Sequence, residues 1–234
     1  MSAGIVGLVG SSLLNMVKKS ECGLILAAAG SGSRFGSDVP KQFLELHGKP
    51  VYLLALEAFL PFVCEAVVVV PASMKAQVQR ELDSCDFHFT PYVAIGGDRR
   101  QDSVESGLGF LGMQVKSVLV HDAARPFASE ELIGRVVEGT LQYGACIPIL
   151  PVCDTVKVLE ADFIVKTLDR GSLGLAQTPQ GFERGLLEEA FSEGGRLGIE
   201  ATDEAALVEH LGYKIRVVAG DKKNVKITWQ SDLG

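Results

Sequence analysis

The sequence predicts an α/β protein, and three observations carry that prediction. Short apolar runs alternate with stretches in which apolar residues recur at helical spacing, the pattern of strands joined by helices. The 26 glycines among 234 residues suit many tight strand-to-helix connections. With 47% hydrophobic and 22% charged residues the chain is globular, and its length suits one large domain with a substantial buried core.

Leu24 to Ala29 is an apolar run that reads as a buried strand, and it breaks into Gly30, Gly32 and Gly36. Backbone there must bend tightly and come close to something. Glycines remove the Cβ atoms that would hold a polyphosphate away from backbone N–H donors, and Arg34 and Lys41 bring two permanent cations to the same loop. The spacing GxGxxxG misses the dinucleotide fingerprint by one residue, and no Gly-Lys-Ser/Thr follows. An ordinary Gly-rich turn remains the plain alternative, but such a turn needs neither cation.

Val51 to Phe62 has helical spacing and stops near Pro61; Val67 to Val70 is a second buried strand; Met74 to Leu82 is an amphipathic helix. Phe87 to Ile95 reads as a shorter strand, and Val104 to Leu111 as a helix. Between them Gly96 to Ser103 offers two glycines, two carboxylates, two arginines and a hydroxyl. That loop either frames a polar ligand or is a charged loop with Asp102 or Ser103 capping the helix.

Val115 to Val120 is the next strand, and it delivers His121-Asp122-Ala123-Ala124-Arg125-Pro126. In an open α/β sheet the carboxyl ends of strands line the ligand crevice. Asp122 is therefore expected to hold a hard cation such as Mg²⁺, which takes carboxylate and phosphate oxygens. The competing reading pairs Asp122 with Arg125 across a turn, and His121 is expected to be a satisfied core residue.

Glu130 to Tyr143 reads as a helix and Ala145 to Leu150 as a strand. From Pro151 to about residue 175 thin alternating strands flank Glu160 to Asp162, with no helix to bury them. A hairpin of this kind is marginal alone in water, so an arm packing on a second copy is expected, giving a homodimer. Gln177-Thr178-Pro179-Gln180 brings the chain back; residues 184–192 and 203–211 look helical. The last strand, Lys214 to Val218, ends in a loop carrying Asp221 and Lys226.

A net charge of -7 argues against a general nucleic-acid surface. The five cysteines are scattered, with no CxxC and no zinc-like histidine spacing, so a reducing cytoplasm is expected. The apolar segment Ile5 to Leu14 lacks a preceding basic residue and is too short to span a membrane, so no membrane association is expected. Residues 1–21 are read as an extension, disordered or artificial in origin, and residues 22–234 as a single domain.

Taken together, Leu26-Ala-Ala-Ala-Gly-Ser-Gly-Ser-Arg34 with Pro40-Lys41-Gln42 resembles the signature of sugar-phosphate nucleotidyltransferases. Further motifs are Gly96-Gly97-Asp98 with Arg100 and Ser103, His121 to Pro126, Ala176 to Gln180, Thr202-Asp-Glu204, and Asn224 to Thr228. With them, the chain is similar to the 2-C-methyl-D-erythritol 4-phosphate cytidylyltransferase family over about residues 22 to 232. The resemblance implies a three-layer α/β/α, Rossmann-like nucleotidyltransferase fold with a mostly parallel sheet and a protruding β-arm that hooks two subunits together. It implies transfer of CMP from CTP to methylerythritol phosphate, with Mg²⁺ as cofactor.

By resemblance, Arg34, Lys41 and Lys226 are the catalytic cations. Ala28, Ala29, Gly30 and Gly32 would wrap the triphosphate, with Ala123 beside them, while Gly97, Asp98 and Ser103 read cytosine. Arg125, Thr155, Arg170, Thr178 and Lys226 would grip the acceptor, Thr155 and Arg170 from a partner's arm. Asp122 would hold the metal, with Asp221 as a second ligand. Two alternatives stay open: a cytidylyltransferase for another polyol phosphate such as ribitol 5-phosphate, and a nucleotide-binding regulator without catalysis.

Overall fold

The computed structural model describes residues 21–30, 40–229 and 232. The expected extension before residue 21 and the loop positions Gly32, Arg34 and Gly36 lie outside them. The first strand, β1 (Cys22–Ala27), is central and pairs in parallel with β4 (Glu65–Val70) on one side and β6 (Ser117–Asp122) on the other. Beyond β4 lies β5 (Tyr92–Ile95), again parallel. Across β6 the sheet continues through antiparallel β11 (Gln180–Glu183) to β7 (Ala145–Pro151), which also pairs with β10 (Gly174–Ala176) and, in parallel, with β12 (Arg216–Ala219). Among the described residues the result is an eight-stranded, mostly parallel sheet. A small pair, β2 (Glu45–Leu46) and β3 (Lys49–Pro50), stands apart.

Because strand side chains alternate between faces, a single strand feeds two cores. Leu24, Leu26, Val68 and Val70 face α1 (Val51–Phe59), α2 (Lys75–Asp83) and α4 (Glu130–Tyr143). Ile25, Val67 and Val69 face α3 (Arg100–Leu108), α5 (Arg184–Leu197) and α6 (Glu204–His210). These are the three layers. Helix starts are set by side chains: Ser129 Oγ accepts from the Leu132 N–H at 3.3 Å, and Asp203 Oδ1 from the Ala206 N–H at 3.0 Å.

Several boundaries differ from expectation. The strand expected from Phe87 begins only at Tyr92, directly after Pro91, which has no N–H to give a ladder. Helix α3 starts at Arg100 instead of Val104: Asp102 accepts from the Arg99 N–H at 3.1 Å, so the charged loop itself supplies the first helical turn. Strand β11 is not expected from its own residues, since only Phe182 among them is large and apolar.

The hairpin forms as expected. Among the described residues its strands, β8 (Lys157–Glu160) and β9 (Phe163–Thr167), pair only with each other, and every residue in them is exposed. Leu159, Phe163, Ile164 and Val165 are each more than half exposed.

Candidate active site

The strand order decides where the cleft opens. Having laid β4 and β5 on one side of β1, the chain returns to place β6 on the other, so the loops leaving β1 and β6 diverge at that edge. Ala27 and Asp122, the last residues of the two strands, stand in register. Beyond them is a cleft of about 430 Å³.

Ala27, Ala29 and Gly30 line it after β1, and Lys41 and Gln42 from the short helical turn Lys41–Phe43. Gly97, Asp98, Arg99, Arg100 and Ser103 line it after β5, and Asp122, Ala124 and Lys226 close the far wall. A Cβ at Gly96 would collide with the Ala29 methyl and sit 2.7 Å from Ser103 Oγ, so only glycine lets the two loops approach this closely. Gln42 Nε2 donates to the carbonyls of Ala28 at 2.6 Å and Gly30 at 2.8 Å. One amide thus fixes the start of the Gly-rich loop.

Asp122 is the electrostatic centre. Lys226 Nζ donates to its Oδ2 at 2.7 Å, Arg100 reaches Oδ1 at 3.4 Å, and Arg125 Nε stands 3.7 Å from Oδ2. Burial alone would raise this carboxyl, but the attraction of Arg100, Lys226 and Arg125 outweighs it and holds Asp122 well below the usual carboxylate range. Arg100 also donates to Glu204 Oε1 at 2.6 Å. Burial works against the Arg100 charge, yet Glu204 and Asp122 more than offset it and raise its pKa. Glu204 is itself raised by burial, which its pairing with Arg100 only partly opposes, and its Oε2 has no hydrogen-bond partner among the described residues. Three cations against two carboxylates leave a positive excess before Lys41 is counted.

His121 is a satisfied core residue. Its Nε2 lies 2.9 Å from the Arg125 carbonyl, its Nδ1 3.0 Å from Thr178 Oγ1, and its ring packs 4.6 Å from that of Phe59. Burial lowers its pKa to about 4, so the ring is neutral near pH 7. The carbonyl can only accept, so Nε2 carries the proton. Nδ1 then accepts from the Thr178 hydroxyl, whose oxygen in turn accepts from the Asp122 N–H at 3.1 Å.

Ala28 and Ala123 lie one layer beneath the cleft, buried, their N–H groups donating to Val69 and Ala27 carbonyls. Arg125 faces a second cleft that it shares with Gln177, Asn224 and Lys226, so Lys226 lines both spaces. Thr155 and Arg170 are exposed on the arm and line neither; Arg170 donates to the Cys153 carbonyl. Asp221 lines neither cleft: its carboxylate accepts from Ser129 Oγ at 3.3 Å and the Lys223 N–H at 2.8 Å, which turns it toward the start of α4. Among the described residues, no group of three or more His, Cys, Asp or Glu could hold a metal ion.

Gln42, Arg100 and Glu204 stood within recognised runs without an assigned role. For Arg100 and Glu204 the signal is charge in a run that also carries site residues; Gln42, a neutral amide, has only its place beside Lys41. Arg100 and Glu204 meet across 104 positions of sequence, which no local pattern reports.

A family model described as "IspD: 2-C-methyl-D-erythritol 4-phosphate cytidylyltransferase" matches residues 22–234. The 2-C-methyl-D-erythritol 4-phosphate cytidylyltransferase of Syntrophus aciditrophicus is 39% identical over 215 residues, covering 89% of this chain and 91% of that protein. The bifunctional enzyme IspD/IspF of Solidesulfovibrio magneticus is 44% identical over 220 residues, covering 89% of this chain but 54% of that protein. The chain therefore spans about half the length of such bifunctional relatives. The crystal structure of the cytidylyltransferase of the same name from Thermus thermophilus superposes with a TM-score of 0.76 at 35% identity, covering 91% of this chain and 95% of that one.

Proposed function

Because the chain belongs to the 2-C-methyl-D-erythritol 4-phosphate cytidylyltransferase family, we propose that it transfers CMP from CTP to 2-C-methyl-D-erythritol 4-phosphate. The products are pyrophosphate and 4-diphosphocytidyl-2-C-methyl-D-erythritol, a step of non-mevalonate isoprenoid biosynthesis. One observation carries this reading: in a chain of net charge -7, Lys41, Arg100 and Lys226 converge on a single cleft under a glycine-bearing loop.

An oxygen of the acceptor's phosphate attacks the α-phosphorus of CTP, the new O–P bond forms, and the bridging bond to the β-phosphate breaks. The electron pair leaves on pyrophosphate. Nucleophile and leaving group are both anions and little proton transfer is needed, so catalysis consists of alignment and charge stabilisation. Lys41, with Arg34 from the same loop, would neutralise the crowded α-phosphoryl group and the departing pyrophosphate. Lys226 lines both clefts, which suits it to bring the acceptor phosphate against the α-phosphorus.

The polar backbone around Gly97, Asp98 and Ser103 would read the cytosine edge, which offers an amino donor beside a ring nitrogen and a carbonyl. Arg125 and Lys226 would hold the acceptor, joined by Thr155 and Arg170 of the partner subunit. The exposed apolar arm supports a homodimer, because a lone two-stranded hairpin with such side chains needs a covering surface. All five cysteines are free, which suits a reducing cytoplasm. No described helix is long and apolar enough to cross a membrane.

The donor set fits Mg²⁺ in one way. Asp122 offers carboxylate oxygens at the cleft wall, and a hard cation bound by one carboxylate completes its shell with substrate phosphates and water. When bound, it would supply further neutralisation of phosphate charge. Asp221 points elsewhere.

Pyrophosphate release measured with CTP, ATP, GTP and UTP against methylerythritol phosphate and ribitol 5-phosphate tests the reading. Release is expected only from CTP with methylerythritol phosphate. Release with ribitol 5-phosphate instead would reassign the acceptor, and nucleotide binding without release would leave a regulator.

A further inference from the structure

The run Gln177-Thr178-Pro179-Gln180 joins β10 to β11, and none of it lines the nucleotide cleft. Gln177, Thr178 and Gln180 are only 5%, 5% and 1% exposed. Their hydrogen-bonding groups are directed at three separate elements, each of which carries one charged group of the Asp122 cluster.

Gln177 Oε1 accepts from the Asp221 N–H at 3.0 Å, and its Nε2 donates to the carbonyls of Asp221 at 2.9 Å and Asn224 at 3.2 Å. All three bonds go to the backbone of the loop that ends in Lys226. A Cβ at Gly220 would stand 2.7 Å from Gln177 Oε1 and 3.1 Å from Ile149 backbone, so the loop lies against this amide without slack. Thr178 accepts from the Asp122 N–H, and its carbonyl accepts from Asn224 Nδ2 at 2.7 Å. Gln180 Oε1 accepts from the Ala205 N–H at 3.1 Å while its Nε2 donates to Asp203 Oδ2 at 2.8 Å. The residues on either side of Glu204 are thereby fixed, and Glu204 holds Arg100.

Resting on the cytidylyltransferase reading, we propose that Gln177, Thr178 and Gln180 are positioning residues that set Lys226, Asp122 and the Glu204–Arg100 pair at their mutual distances. Thr178 acts through Asp122, whose N–H donates to its hydroxyl oxygen. Stabilisation by fixed charge depends on the charge already being in place when the transition state forms. A shift of about 1 Å in Lys226 costs up to about 100-fold in rate, although no bond of Gln177 reaches Lys226 itself.

Steady-state kinetics and thermal denaturation of Gln177→Ala, Lys226→Ala and the double variant test this. Gln177→Ala is expected to lower kcat about 10- to 100-fold while the KM for CTP moves about twofold or less and the fold is retained. Added to Lys226→Ala, it should lower kcat no further, because its effect passes through that lysine. Independent, multiplying losses overturn the proposal, as does wild-type turnover in Gln177→Ala. If Lys226→Ala alone turns over like wild type, the assignment of the site falls and not merely the role of Gln177.

Should Gln177→Ala not fold, Gln177→Glu keeps the size and the acceptor but sets a carboxylate against two carbonyls, with the same expected results. Thr178→Ser and Thr178→Val give an independent measurement. Valine removes both hydroxyl bonds and should lose at least about 10-fold more turnover than serine, which keeps them; equal turnover of the two overturns the proposal.

Discussion

Lys41 is only 8% exposed, yet it lines the cleft proposed to take CTP. A charge so placed reorganises little when the reaction occurs, and losing one such donor typically costs about 3 to 4 kcal/mol in the transition state. Lys41→Ala should therefore cut kcat by a few orders of magnitude and leave CTP binding mostly intact, read from turnover beside a direct CTP titration. His121 carries a different kind of consequence. Burial, opposed by the hydrogen bond to the Arg125 carbonyl and the pull of Asp122 and aided by the charges of Arg125 and Lys226, takes it from 6.5 to about 4 on folding. Between those values the unfolded chain binds the extra proton, so stability rises with pH across the window. The contribution, roughly 3 kcal/mol, is complete above about 6.5 and is lost as pH falls toward 4. Urea midpoints should drop as pH is lowered through this range, and the His121 ring signals should not titrate between about pH 5.5 and 8.

Elements differ in how far their own residues explain them. Strands β1, β4 and β6 were legible because unbroken apolar runs buried on both faces leave little alternative. The arm was legible for the opposite reason: alternating apolar residues with no helix nearby to cover them. Strand β11 was not, since Gln180 to Glu183 holds a single large apolar residue and becomes a strand only by lying between β6 and β7. The arm's exposed side chains give a direct test. Phe163 and Ile164 are 78% and 63% exposed, so replacing both with Asp should leave the thermal midpoint of the isolated subunit nearly unchanged. On the proposed homodimer, sedimentation at micromolar concentration should show a dimer for the parent and monomers for the double variant, and turnover should fall as the proposed acceptor ligands Thr155 and Arg170 are withdrawn. A dimeric double variant would take that role away from the arm.

At the scale of the molecule, one sheet serves two cores, and the site inherits its rigidity from both. Leu26 is fully buried in the central strand, directly before Ala27, where the cleft wall begins. Leu26→Ala should cost about 2 to 5 kcal/mol from lost burial and the cavity left behind, measured by denaturant unfolding. The amino-acid sequence by itself determined the alternation of strands and helices, the residues that face inward, and the strand-end loops that carry charge. Those follow from periodicity and composition, which act over a few residues. Because parallel strands send their carboxyl ends to one edge, it also determined that the Gly-rich loop, the Gly97 loop and Asp122 share that edge. Only the tertiary structure decided which loops became neighbours. The lateral order of strands placed Asp122 beside Ala27 and the Arg100 loop across the cleft, while the buried amides of the Gln177 run brought in Lys226 and Glu204. Contacts between residues a hundred positions apart depend on how strands are ordered in the sheet, and local propensity carries no record of that order.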